Sequence, residues 1–139
     1  KLSNLVMSWS TYTDPEIAHV GLYEHEEKAR GIQVNTILIP LDIVDRAIID
    51  GETIGFVKIH HQKGSDRILG ATIVANHAGE MISEITTAIV GKIGLNQLSS
   101  IIHPYPTQAA AIKKAADTYR RTLLTPNAKR LLRLLTKFS

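Results

Sequence analysis

The sequence predicts an α+β domain in which an antiparallel β-sheet is flanked by α-helices. Extended, β-branched runs broken by turn residues fill the first half of the chain. The two longest stripes of helically spaced apolar residues fall in the second half. Strands first and helices later favour an antiparallel sheet covered by helices over alternating βα units. At 139 residues there is room for one such domain with a real core.

Trp9 to Tyr12 is aromatic and β-branched enough for a strand, and Asp14-Pro15 turns it into a second extended run, EIAHVGL, ending near Gly21. These two runs form a strand pair. Tyr23 to Arg30 is rich in Glu, Lys and Ala and stops at Gly31, which predicts a short exposed helix. QVNTILIPL returns to strand, and DIVDRAIIDGET allows one helical turn around Val44 to Ala47 before the tight-turn dipeptide Asp50-Gly51. The hairpin that follows pairs TIGFVKIHH with RILGATIVAN across the loop QKGSD.

Ala78, Met81, Ile82, Ile85, Ala88 and Ile89 then recur at helical spacing, between the polar turn Asn76-His77 and the glycines Gly91 and Gly94. A second stripe, Ala109, Ile112, Ala116, Tyr119 and Leu123, predicts a helix over Thr107 to Leu123 with Thr107 as its N-cap. Thr125-Pro126 opens a last helix, with Leu131, Leu132 and Leu135 opposite Lys129, Arg130, Arg133 and Lys137. The chain divides into a body, residues 1–124, and a C-terminal basic amphipathic helix, residues 125–139.

The net charge of +3 is uneven, because six cationic residues after Asp117 leave −3 for the remainder. A basic tail on a mildly acidic body is not the footprint of a nucleic-acid binder, and membrane association of the tail is not expected. No apolar run approaches the roughly 20 residues that span a bilayer, and KLSNLVMSWS lacks the pattern of a signal peptide, so a soluble, cytoplasmic chain is expected. The absence of Cys removes disulfides and thiolate nucleophiles.

No glycine-rich stretch has the spacing of a dinucleotide or phosphate loop, and no GxSxG elbow is present. Six histidines, His19, His25, His60, His61, His77 and His103, lack metal-ligand spacing and read as surface or interface residues. His60 and His61 point to opposite faces if they lie on a strand. His103-Pro104-Tyr105-Pro106-Thr107 is a stiff platform ahead of a helix. Such rigidity suits a functional site and equally suits aiming one helix after another.

Five motifs in order carry a resemblance: YTDPEIAHVG at Tyr12 to Gly21, GFVKI at Gly55 to Ile59, RILGA at Arg67 to Ala71, HAGEMI at His77 to Ile82 and HPYPT at His103 to Thr107. With them, over about Trp9 to Leu124, the chain resembles the C-terminal dimerisation domain of the FAD-dependent pyridine nucleotide-disulfide oxidoreductases. The resemblance implies upstream FAD and NAD(P) domains carrying a redox-active cysteine pair, and a homodimer in which this domain lends a loop to the partner subunit's flavin and disulfide. In lipoamide dehydrogenase and glutathione reductase that loop has a catalytic His before Pro-Thr and an orienting Glu five residues later. Those positions fall on Tyr105 and Ala110, so the His-Glu dyad is absent.

A tyrosine there is similar to the mercuric-reductase-like branch, although the final TKFS lacks that enzyme's mercury-delivering cysteine pair, and mercury is therefore not the expected substrate. The resemblance makes Tyr105 a hydrogen-bond donor or ligand contact, with His103 as the alternative base. Pro104, Pro106 and Thr107 frame the loop. His77, Gly79 and Glu80 match a helix start near the dimer interface, where the small Ala78-Gly79 pair permits close packing. The isolated domain is expected to bind neither FAD nor NAD(P) and to be inactive alone. The alternative, favoured by the lost dyad, is a stand-alone interaction module of the same fold.

Overall fold

The computed structural model describes residues 6–124; the basic helix expected over residues 125–139 lies outside them. Five antiparallel strands, β1 (Ser8–Thr11), β2 (Glu16–Gly21), β3 (Val34–Pro40), β4 (Phe56–Gln62) and β5 (Ile68–Ala75), form one sheet in the order β1-β2-β5-β4-β3. The helices are α1 (Glu24–Ala29), α2 (Asp45–Asp50), α3 (Ala78–Val90), α4 (Leu95–Ser100) and α5 (Ala110–Thr122). This is the expected α+β architecture.

Alternation along the strands decides which side each residue faces. Ala18, Val20, Ile37, Ile39, Val57, Ile59, Ala71 and Ile73 are buried on one face, against the apolar stripes of α3 and α5. On the other face α1 brings Tyr23 onto His19, their rings stacked 3.8 Å apart, and Glu27 to within 3.9 Å of His60. The predicted exposed helix is therefore half right: its Glu24–Lys28 pair lies in solvent, whereas Glu27 is fully buried.

The histidines also depart from the expectation of surface positions, since His19, His60 and His61 are buried. A bulge falls between His60 and His61, and the two do face opposite ways. His60 Nδ1 meets Thr36 Oγ1 at 2.8 Å, while the His61 ring packs edge-on to Tyr119 of α5. Each finds a hydrogen-bonding partner, which is what allows an imidazole to be buried.

The tight turn expected at Asp50-Gly51 closes α2, with Gly51 left-handed at φ 72°. In GFVKI, Gly55 has φ 133°, and a Cβ there would lie 2.1 Å from the Val74 carbonyl oxygen. Only glycine fits. Among the described residues no helix is long and apolar enough to cross a membrane.

Candidate functional site

The segment from His103 to Gln108 joins α4 to α5 and is held from three sides. His103 Nε2 lies 2.7 Å from Glu84 Oε1 of α3, and His103 Nδ1 lies 3.2 Å from the Ile101 carbonyl oxygen. Tyr105 Oη donates to Asp45 Oδ2 at the start of α2, at 2.9 Å. Gln108 Nε2 donates to Glu52 Oε2, just after α2. Three carboxylates from two separate regions thus tie down a loop that already contains two prolines.

Thr107 is not the N-cap. Its hydroxyl donates to the Pro104 carbonyl within the loop, and α5 begins at Ala110 behind Ala109. The helix is entered through single tight turns from Thr107, Gln108 and Ala109. Ala110 is consequently the first residue of the helix, not its third. Lys113 of α5 then donates to the Ser99 carbonyl of α4 and pairs with Asp117, which also accepts from Ser99 Oγ. This fixes α4 against α5 and so sets both ends of the loop.

The two candidate side chains are placed very differently. Tyr105 is 76% exposed. Its phenol is raised above the ordinary tyrosine value by the hydrogen bond to Asp45 and by that carboxylate's charge. The His103 side chain is only 8% exposed, and both ring nitrogens face oxygen acceptors, so the ring has no free nitrogen to offer a ligand.

Beside the loop lies a cleft of roughly 360 Å³, walled by Arg46 and Asp50 of α2, His77 just before α3, Glu80 and Glu84 of α3, and Pro106 to Ala109. His77 and Glu80 are exposed there. Gly79 faces inward: its N–H donates to Glu16 Oε2 at 2.9 Å, and a Cβ would crowd Ser10, Tyr12 and Glu16 at 3.1 to 3.3 Å. The structure brings His103, Tyr105, Pro106, Thr107 and Glu84 to one edge of the molecule. Asp45, Glu52, Glu84 and Gln108 are the members that motif reading missed.

Residues 7–116 match the pyridine nucleotide-disulphide oxidoreductase dimerisation domain. The chain belongs to that family. It is 32% identical over 121 residues to mercuric reductase from Shewanella putrefaciens, covering 87% of this chain and 22% of that protein. Mercuric reductase from Streptomyces lividans is 38% identical over 109 residues, covering 78% of this chain and 23% of the relative. Dihydrolipoyl dehydrogenase from Buchnera aphidicola is 37% identical over 112 residues, covering 81% and 24%.

Among solved structures, LpdA from Mycobacterium tuberculosis aligns with a TM-score of 0.76 at 31% identity, over 81% of this chain and 25% of that one. The HOCl-induced flavoprotein disulfide reductase RclA from Escherichia coli also reaches 0.76 over 81% and 26%, but at 20% identity it speaks for the fold alone. This dimerisation domain is thus related to those of mercuric reductases, and it spans about a quarter of the length of the relatives it matches.

The family's FAD does not find a dinucleotide cradle in the cleft. A diphosphate there would face Asp50, Glu80 and Glu84, and the cleft's one arginine, Arg46, is already paired with Asp50 at 2.7 Å. Like charges of this number would repel the ligand.

Proposed function

We propose that this domain completes a homodimeric, FAD- and NAD(P)-dependent disulfide oxidoreductase similar to mercuric reductase, lending its HPYPT loop to the partner subunit's active site. Upstream domains of the parent chain hold both cofactors and the redox-active cysteines. In this reading Tyr105 contacts the reacting sulfurs, and His103 holds the loop instead of acting as a base. His77 and Glu80 shape the adjoining wall, while Gly79 lets the start of α3 pack closely on β1 and β2. The observation that carries the proposal is an exposed phenol on a loop braced by two prolines and three carboxylates, at the position where the family keeps its catalytic side chain. Bracing of this kind is what a group aimed at another subunit's chemistry needs.

The test is Tyr105→Phe in the full-length enzyme. We expect kcat/KM for NAD(P)H-driven disulfide reduction to fall roughly tenfold or more, with flavin reduction by NAD(P)H unchanged. Equal kinetics in the two proteins would refute the role. Sedimentation equilibrium of this chain alone tests whether the domain assembles by itself, and the gene separates the reading from a stand-alone module, because a flavin domain encoded upstream in the same frame excludes the module. A tight dimer shows that the domain assembles by itself, and only the module reading predicts a cellular function without the flavin domains.

A further inference from the structure

We infer that Asp45 is the positioning residue of Tyr105 and makes the phenol oxygen a hydrogen-bond acceptor for a neutral thiol S–H. The inference rests on the function proposed above and names the chemical form of sulfur that the loop receives.

A phenol has one proton to donate and lone pairs with which to accept. Tyr105 spends its proton on Asp45 Oδ2, so the outward side of the oxygen offers lone pairs alone. Asp45 is well placed to hold that arrangement. It is the first residue of α2 and follows Val44, which is fully buried and anchored through backbone bonds to Leu41 and Ile48. The neighbouring carboxylates are engaged elsewhere: Glu84 with His103, Glu52 with Gln108 and Asp50 with Arg46. Asp45 is therefore the group that orients the phenol.

Ala110, where the family's orienting Glu would stand, has only a methyl group and cannot serve. The carboxylate has moved to another element, 60 residues upstream of the tyrosine. This changes what the loop can bind. An oxygen presenting lone pairs beside a carboxylate repels a thiolate and attracts an S–H, so the protonated thiol product of disulfide reduction is the preferred ligand. The raised phenol value agrees, since the carboxylate disfavours the phenolate.

The experiment has two arms. In the full-length enzyme, with hydroxyethyl disulfide, whose alkyl thiol products stay protonated at neutral pH, Asp45→Ala should lower kcat/KM about tenfold and match Tyr105→Phe. The double variant should be no worse than either single one, and Asp45→Glu should recover part of the loss. In this chain itself, NMR with carbon-labelled tyrosine should show the Tyr105 signal, identified by its loss in Tyr105→Phe, titrating above the ordinary value and returning towards it in Asp45→Asn. Additive single-variant effects, or unchanged kinetics in Asp45→Ala while Tyr105→Phe is impaired, would overturn this inference and leave the proposed function standing. A silent Tyr105→Phe removes the underlying reading, and this inference with it.

Discussion

Two histidine–glutamate pairs among the described residues differ in almost everything except composition. His103 and Glu84 meet at 2.7 Å, with the Glu84 side chain 29% exposed. His60 and Glu27 stand 3.9 Å apart under α1, 2% and 0% exposed, and neither oxygen of Glu27 has a hydrogen-bond partner. Water reaches the first carboxylate and stabilises its charge, so a short contact adds to an ion already tolerated. The second pair has no water, and its separation exceeds hydrogen-bond length. Burial accordingly pushes Glu27 up and His60 down, each towards its neutral form. The same two residue types make a clasp at the loop and a buried liability beneath the sheet.

The contrast breaks most visibly at Glu27. Glu27→Leu replaces an unpartnered buried carboxyl with an apolar group of similar size, and should stabilise the domain by about 1–3 kcal/mol in denaturant unfolding at pH 7. A comparable loss of stability would mean that Glu27 is well paired and that the two pairs are alike.

The next largest effect is a pH dependence whose sign follows from the direction of the shift. A carboxyl raised above its ordinary 4.5 holds its proton more tightly folded than unfolded, so its contribution declines as pH rises through that window. His60 and His19, both lowered from 6.5 chiefly by burial, act oppositely: their contribution is lost as pH falls below the ordinary histidine value. Glu27→Gln removes only the carboxyl's contribution. Its stability relative to the parent should therefore grow as pH rises above 4.5 and then level off, while both proteins weaken in acid. A difference independent of pH would show that Glu27 titrates normally.

Most of the sheet and its two principal helices could be read from periodicity, because Val57 and Ile59 alternate with Lys58 and His60, and α3 keeps its apolar stripe over three turns. Helix α4 could not, since LNQLSS offers only Leu95 and Leu98 and is too short for a period to emerge. The start of α5 differs from the expectation because Thr107 has the chemistry of a cap but spends its hydroxyl on the Pro104 carbonyl inside the loop. At the site, the prolines flanking Tyr105 were legible. Its carboxylate partners were not. Asp45 and Glu52 lie 60 and 56 residues away from the groups they bind, and on sequence alone they look like ordinary solvated charges.

The smallest effect belongs to the exposed pair and tests the other half of the contrast. Glu84→Gln preserves the shape of the side chain and leaves an amide facing His103, so the loop keeps a hydrogen bond there and loses the carboxylate. Because Glu84 is partly solvated, global stability should fall by no more than about 1 kcal/mol, and raising the salt concentration should shrink the difference further. The local effect should be larger than the global one. Amide exchange of the α5 entry, Ala110 to Ile112, should accelerate relative to β4 and β5, since the substitution loosens the loop and not the sheet. Uniform acceleration across strands and loop would mean that the His103–Glu84 contact supports the whole fold, and the distinction between clasp and core would then fail from the exposed side.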